Sequence, residues 1–530
     1  MPKANISYQN SGYFTPLIND YLDQKTELNS LYHRFPTLEN FKDQVLEKQA
    51  LFPSENRTAL VQALENQYQN TPASDATIRN IKALAHPNTF TITTGHQLNL
   101  FTGPLYFLYK IISTINLCNQ LKNTYPECHF VPVYWMATED HDFEEINYFQ
   151  FKNHKIKWIT ESHGPVGRLS TDGLDDVFQL FASQLGPGEN AASLKALFEN
   201  SYLKHDNLAD ATRYLANQLF GEQGLVILDG DSPTLKQLFS PYIKKELLEK
   251  TSFNRVSETN ELLKQNYALQ VNPREINLFY IEDQVRERIV WENQRYNVHN
   301  TNRSYTENEI LELVDRHPEK FSPNVILRPL YQEVILPNLC YIGGGGELAY
   351  WLQLKANFKA FNITFPILLL RNSALLATQK QRDKANKLGL SWEDLFCDQQ
   401  TLFTQKTAEF SQFNLDFTAQ KELLKQQFEQ LTTIATQTDK SFLGAVKAQE
   451  SKQIKGLENL EKRLLKAEKR VYAEKLERIL LLQNELFPNQ SLQERKINFS
   501  EFYLEYSDQL IQKISAELDP LHLQFTIITL

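Results

Sequence analysis

Cysteine is scarce in this sequence. Cys118, Cys128, Cys340 and Cys397 are the four among 530 residues. They are scattered, with no Cys-x-x-Cys pair, which argues against a disulfide framework and against a zinc site. No uncharged run approaches the roughly 20 apolar residues of a membrane span. The opening residues, MPKANISYQN, hold no apolar signal core. Basic charge is not in excess either: 55 Lys and Arg stand against 64 Asp and Glu, a formal net charge of -9. That balance argues against a general nucleic-acid or membrane-surface binder. A cytoplasmic protein with neither nucleic acid nor membrane as partner is the expectation. Hydrophobic residues at 42% and aromatics at 12% supply a substantial core. The length predicts two to four structural units.

Up to about residue 85 the chain reads as short polar helical segments without evident chemistry. Then NTFTITT, Asn88 to Thr94, reads as a strand. Gly95 and His96 end it, and Gly103-Pro104 is a good helix start. Leu105, Leu108, Ile111, Ile112, Ile115 and Leu121 continue at helical spacing. The grammar repeats. HFVPVYWMA (His129 to Ala137), GLVILDGD (Gly224 to Asp231) and ITFPILLLRN (Ile363 to Asn372) are further strands. Residues 324–355 hold one or two apolar runs, a glycine loop and a helix. Strands alternating with helices predict an α/β fold with a mostly parallel sheet. Ligands bind such sheets beyond the carboxyl ends of the strands, and the polar clusters fall there.

The intervals between strands are too long for simple crossovers. They predict two inserted subdomains, 155–221 and 233–323, dividing a core made of 1–154, 222–232 and 324–388. From 389 glycine and proline nearly vanish. Leu457, Leu460, Leu464, Ala467 and Val471 follow a heptad, which Glu474 interrupts before Leu476, Ile479 and Leu480 resume on a shifted face. A helical hairpin or coiled coil over 389–488 is predicted, with a helix from Phe442 to Leu486 roughly 65–70 Å long and Pro488 as its stop. The heptads predict a homodimer. The segment 489–530 ends in LHLQFTIITL, which reads as a strand returning to the core.

Four clusters are candidates for chemistry. In Gly95-His96-Gln97, His96 suits an anion contact or a proton shuttle, or simply caps a strand. Thr102-Gly103-Pro104 suits an anion at a helix start, or ordinary capping. The run EDHDFEE places Glu139, Asp140, His141 and Asp142, then Glu144 and Glu145, after a buried strand. Clustered carboxylates bind an amine, hold a metal or act as a base; a solvated acidic loop is the plain alternative. Their spacing is not diagnostic of a metal site, so no tightly bound metal is expected. In GGGGELAYWLQLK, Gly343, Gly344, Gly345 and Gly346 allow close backbone approach, with Glu347, Tyr350 and Gln353 following. It is neither a P-loop nor a dinucleotide fingerprint. Arg328, Glu333, Arg371 and Asn372 flank the late strands; the arginines suit carboxylate binding, Arg371 better by position, and structural ion pairs are the plain alternative for each. Asp229 and Asp231 are weaker candidates.

Three motifs in this order, GHQLNLFTGPLYFLYK, VPVYWMATEDHDFEEIN and GGGGELAYWLQLK, resemble the bacillithiol synthase family, the cysteine ligases of bacillithiol biosynthesis. The resemblance spans nearly the whole chain. It implies a Rossmann-like, class I aminoacyl-tRNA synthetase-like core, two connecting insertions and a dimerising coiled coil. The implied reaction joins the carboxyl of cysteine to the amine of glucosaminyl-malate, and ATP or ADP with Mg is the implied nucleotide. On this reading His96, Asp140, His141 and Asp142 are catalytic. Gly95, Gln97, Thr102, Gly103, Glu139, Arg328, Gly343 to Gly346, Glu347, Tyr350, Gln353, Arg371 and Asn372 bind substrate, the arginines taking the malate carboxylates. Two departures stand out. One histidine and one glycine replace the His-x-Gly-His of class I synthetases, in a different order. LLLRNSALLATQKQRDK lacks their Lys-Met-Ser-Lys-Ser loop, although Lys380 and Lys384 are near. How the cysteine carboxyl is activated therefore stays open between ATP, another activated form and a partner protein. A metal-dependent hydrolase using the Glu-Asp-His-Asp cluster and a dimeric scaffold with a vestigial pocket are the alternatives.

Overall fold

A computed structural model describes residues 4–530. Strand β1 (Ala4–Ser7) comes first, followed by helices up to Ala83 and then β2 (Thr89–His96) and β3 (His129–Met136). A hairpin, β4 (Tyr148–Phe151) and β5 (His154–Lys157), precedes three helices and β6 (Val226–Asp229). Two further helices lead to β7 (Leu278–Glu282), β8 (Val285–Glu292), β9 (Arg295–Val298), β10 (Ser304–Tyr305) and β11 (Phe321–Pro323). Then come β12 (Asn338–Gly343), β13 (Ile367–Leu370), β14 (Ala374–Ala377) and, after the long helices, β15 (Gln524–Thr529).

The core sheet has the order β13-β12-β2-β3-β6, and every pairing is parallel. All eight residues of β2 are buried, as expected for a parallel strand covered on both faces. The helix Tyr106–Thr124 is the crossover from β2 to β3 and is buried on most sides. From β2 the chain proceeds one way to β3 and β6, then the other way to β12 and β13. The switch point lies between β2 and β12, and a crevice opens there beyond the strand ends.

The apolar stretch after Asn324 divides into unlike parts. Arg328–Ile335 is a helix and only Asn338–Gly343 is a strand. Leu327, Leu330, Tyr331, Val334 and Ile335 are buried at helical spacing, and Pro329 suits the first turn.

The five-stranded antiparallel sheet β10-β9-β8-β7-β11 lies within 278–323. The β4–β5 hairpin spans residue 154, where a segment boundary was expected. A third sheet, β1-β15-β14, joins an early strand to a late one: β1 is antiparallel to β15, and β15 is parallel to β14. The returning strand read in LHLQFTIITL is β15. Strand β1 was not anticipated in a segment that reads as helical.

Helix Thr418–Ala435 packs on Lys440–Val471 through Leu424, Phe428, Ala435, Leu443 and Val446. The long helix expected from Phe442 to Leu486 is two helices, Lys440–Val471 and Ala473–Leu486, broken at Tyr472. The cause lies in the shifted pattern. Leu476, Ile479, Leu482 and Leu486 are buried, so the second helix turns to face the core while the first does not. The heptad on the first helix is left open: Leu460 is 53% exposed and Val471 70%. Among the described residues no helix is long and apolar enough to cross a membrane.

Candidate active site

Strand β2 delivers Gly95 and His96 to the switch point. The chain then turns through Phe101, Thr102 and Gly103 with φ of 48°, 69° and 62°. Asn498 holds this strained turn by donating to the carbonyls of Phe101 (2.7 Å) and Gly103 (2.5 Å). A Cβ at Gly103 would lie 2.7 Å from Asn99 Cβ, so the turn needs glycine on two counts. The turn aims the helix Tyr106–Thr124 so that Lys110 reaches the strand ends. Around it opens a cavity of about 1220 Å³, lined from β2, β3 and β12, the β7–β8 face and the late segment at Arg495-Lys496.

His96 sits at the cavity wall, stacked on Tyr106 (5.2 Å, 19°) and edge-on to Phe107. Its Nδ1 lies 2.8 Å from the Gln97 carbonyl oxygen. A carbonyl only accepts, so Nδ1 carries the proton and Nε2 is a bare acceptor. Nε2 is buried without a partner. Burial, with Lys110 adding to it, pushes the imidazole pKa down to about 3. His96 is therefore neutral near pH 7, and Nε2 takes a hydrogen bond rather than giving one to an anion.

The glycine loop forms a basic wall. Glu347 is fully engaged: Oε2 lies 2.5 Å from Lys110 Nζ and accepts from Gly344 N–H (2.8 Å), while Oε1 accepts from Tyr341 OH (2.6 Å). Burial works to raise its pKa, but Lys110, Tyr341 and the Gly344 amide outweigh burial and hold it below the usual range. Lys110 also donates to the Gly95 carbonyl (2.7 Å). Arg328 lies between Trp135 and Tyr341 and donates to Tyr350 OH (3.3 Å). Arg371 differs from the expected open fork. One amino group donates to Asn372 O and Ser373 Oγ, the other to buried Glu494 (2.7 Å), and only Nε is left, buried and unpartnered. Arg495 and Lys496 line the cavity with no carboxylate partner among the described residues.

The loop after β3 forms an acidic wall. Glu139 pairs with buried Lys236 (2.7 Å), which also holds Asp231 (3.0 Å); Arg168 clasps Asp231 from the other side. Thr138 donates to Asp229, whose pKa burial and the neighbouring Asp231 push up. Asp140 accepts from Gln97 (3.0 Å) and from the His141 amide (2.8 Å), and Gln97 also donates to Glu145 (2.8 Å). Desolvation, then Asp140, raise the pKa of Asp142. Arg286, from β8, places Nη1 2.5 Å from His141 Nδ1. Donor atoms of Asp140, His141 and Asp142 lie within 4.8 Å of one another, a spacing a cation suits. Arg286 engages His141 Nδ1 and Gln97 engages Asp140 Oδ2, while His141 Nε2 faces Asp142.

The structure thus brings Gly95, His96, Gln97, Gly103, Glu139, Asp140, His141, Asp142, Arg328, Gly344, Gly345, Gly346, Glu347, Tyr350 and Arg371 to one cavity. Four others stand apart from its lining. Thr102 is buried behind the turn. Gly343 packs against Glu347 Cβ and Leu348. Gln353 donates to Asn260 and Val271 O and accepts from the amides of Gln270 and Val271. Asn372 ties Ser113 to the Asp519 carbonyl. Lys110, Arg286, Arg495 and Lys496 were missed. A lone lysine among Leu105, Leu108, Ile111 and Ile112 was a usable signal for the first. The others lie in segments with no motif.

A parallel sheet with its functional groups gathered at the switch point, followed by a helical hairpin, defines a Rossmann-like α/β protein with a coiled-coil extension. Two family models match in that order. Bacillithiol biosynthesis BshC, N-terminal Rossmann-like domain, matches residues 1–372, and the BshC C-terminal coiled-coil domain matches 374–530. The chain belongs to the BshC family of bacillithiol biosynthesis. It is 63% identical to a protein of Flavobacterium johnsoniae across 100% of both chains. It is 56% identical to one of Christiangramia forsetii, covering 100% of this chain and 99% of that one. It is 39% identical to one of Cytophaga hutchinsonii, covering 97% and 96%. All three are named "Putative cysteine ligase BshC". A solved structure titled "putative arginyl t-RNA synthetase" from Campylobacter jejuni aligns over 80% of this chain and 100% of its own, at 11% identity and a TM-score of 0.20; that score carries no argument.

Proposed function

We propose that this chain is a ligase that joins the carboxyl of L-cysteine to the amine of glucosaminyl-malate, the last step of bacillithiol biosynthesis. The names of its relatives support the reaction class. One observation supports the substrate: a single cavity sets a basic wall against an acidic one. Arg328, the free Nε of Arg371, Arg495 and Lys496 suit a dicarboxylate. The loop Asp140 to Glu145 suits an amine. Its volume of about 1220 Å³ exceeds the roughly 300–1,000 Å³ of a site for one small ligand, leaving space for two substrates and a nucleotide.

In this reading the amine nitrogen bonds to the cysteine carboxyl carbon. The carboxyl oxygen departs on the group that activated it, and the amine proton passes to a carboxylate. Asp142 is our choice of base, because its raised pKa brings proton affinity nearer the working pH. Mg-ATP is the proposed source of activation, its phosphates meeting Arg274 and Arg288, which line the cavity without carboxylate partners among the described residues. The open heptad on Lys440–Val471 is proposed to join two copies of the chain.

The test is a coupling assay on purified protein with glucosaminyl-malate and cysteine, with and without Mg-ATP, read by mass spectrometry. Product that needs ATP, with AMP or ADP appearing in step, is the expected result. Product without ATP would overturn the activation step alone. No product in either arm, with folded protein and both substrates present, would overturn ATP as the activating agent and point to another activated form of cysteine or a partner protein.

A further inference from the structure

Arg286 does not belong to any motif, yet it makes a close polar contact to the acidic loop. It sits on β8, in the second inserted segment, with its guanidinium 4.1 Å above the ring of Phe279 on β7 and its Nε donating to Ser322 Oγ on β11 (3.3 Å). Three strands therefore hold it. Phe279 supports the His141 ring as well, at 5.7 Å. From this seat Arg286 Nη1 meets His141 Nδ1 at 2.5 Å.

The chemistry of that contact is one-sided. A guanidinium has five donors, no acceptor, and keeps its charge in proteins. Its N–H must therefore point at a lone pair, and His141 Nδ1 must lack a proton. The ring proton is then on Nε2, the atom on the side of Asp142, 3.9 Å from its Oδ1. That gap is too long for a hydrogen bond. Nε2–H is thus a donor without a protein acceptor, beside the carboxylate proposed as base. The charged groups around the ring are Asp140, Asp142 and Arg286, with Glu139 and Glu145 on the same loop.

We propose that Arg286 is a positioning residue that fixes His141 as the neutral Nε2–H tautomer, so that His141 donates a hydrogen bond to bound substrate and does not act as the base. The tautomer follows from the geometry alone; the consequence for turnover rests on the ligase reading. The second inserted segment, which also carries Arg274 and Arg288 on the cavity wall, then sets the proton on a histidine of the core through Arg286.

The test has two arms. Long-range ¹H–¹⁵N NMR on ¹⁵N-histidine-labelled protein at pH 8, with His141→Gln to assign the signal, reads the ring proton without any substrate. We expect Nδ1 unprotonated and Nε2 protonated as a single species. A ring proton on Nδ1 overturns the proposal whatever the reaction proves to be. The second arm is a double-mutant cycle in the coupling assay. Arg286→Met and His141→Gln should each lower kcat by roughly 100-fold, as for loss of one positioned hydrogen-bond donor, and the double variant should fall no further than the worse single one. Arg286→Lys, which keeps an N–H donor, should recover part of the loss. Multiplicative losses would show that Arg286 does not act through His141. If Arg286→Met fails to fold, the wild-type spectrum and Arg286→Lys still decide.

Discussion

His96 shows how a side chain can be right in place and different in chemistry. Its position at the end of β2 was legible from a strand followed by Gly-His. Its tautomer was not, because that depends on the Gln97 carbonyl and on burial against Tyr106 and Phe107. A pH dependence follows. The folded pKa is about 3 and the unfolded one about 6.5. Between those values the unfolded chain takes up a proton that the folded chain refuses. The stability that neutral His96 retains above pH 6.5 is therefore withdrawn as pH falls, by roughly 2 kcal/mol at pH 5. In His96→Asn that part of the slope should vanish. Denaturant unfolding at pH 7 and pH 5 checks this, and parallel wild-type and variant profiles would contradict it. Gln353 teaches the opposite lesson. It shares helical spacing with Tyr350, but the helix stops at Trp351, and Gln353 turns instead to Asn260 and Val271. Arg371 was well placed by its strand end, yet Glu494, 123 residues away, takes half its fork. Sequence spacing carries local direction; it does not carry which distant partner arrives.

Among the elements, the parallel sheet was the most readable because buried strands bounded by glycine alternate with amphipathic helices. The short strand β1 was not, since four residues have no period of their own and form only because β15 pairs with them. The broken coiled coil was half legible. The heptad shift at Glu474 was visible, but whether a shift bends a helix or merely rotates its face depends on what lies opposite. Here the core lies opposite Leu476, Ile479 and Leu482, and the helix breaks at Tyr472. The exposed face of Lys440–Val471 yields a second prediction. Phe442, Leu460 and Val471 are exposed and fall on one side of the helix. Sedimentation at micromolar concentration should show a dimer, and Leu460→Asp with Val471→Asp should give a monomer of unchanged helical content. A wild-type monomer would refute the proposed pairing.

The cavity is assembled from parts far apart in sequence: two strand ends, a glycine loop, an inserted sheet and a late segment. The residues 493–498 are the pin. Gln493 bonds the backbone of Leu376, Glu494 meets Arg371 and the Ala374 amide, and Asn498 holds the turn at Phe101 to Gly103. Glu494→Ala would leave a buried guanidinium unpaired, a loss of about 3–5 kcal/mol. We expect the denaturant midpoint to drop accordingly, with turnover falling further because Arg371 borders the cavity. A midpoint within experimental error of wild type would show that the pin is dispensable.

The sheet β1-β15-β14 has a consequence for synthesis on the ribosome. Strand β1 emerges about 520 residues ahead of the strand it pairs with, and at about 5–20 residues per second it waits roughly half a minute to two minutes. Once made, β14 also waits for its neighbour, and Arg495 and Lys496 do not exist until the coiled coil has been translated. A nascent chain can therefore build its parallel sheet early, but it cannot complete the cavity until translation has passed the coiled coil, so every nascent chain that ends before Arg495 is without the finished basic wall.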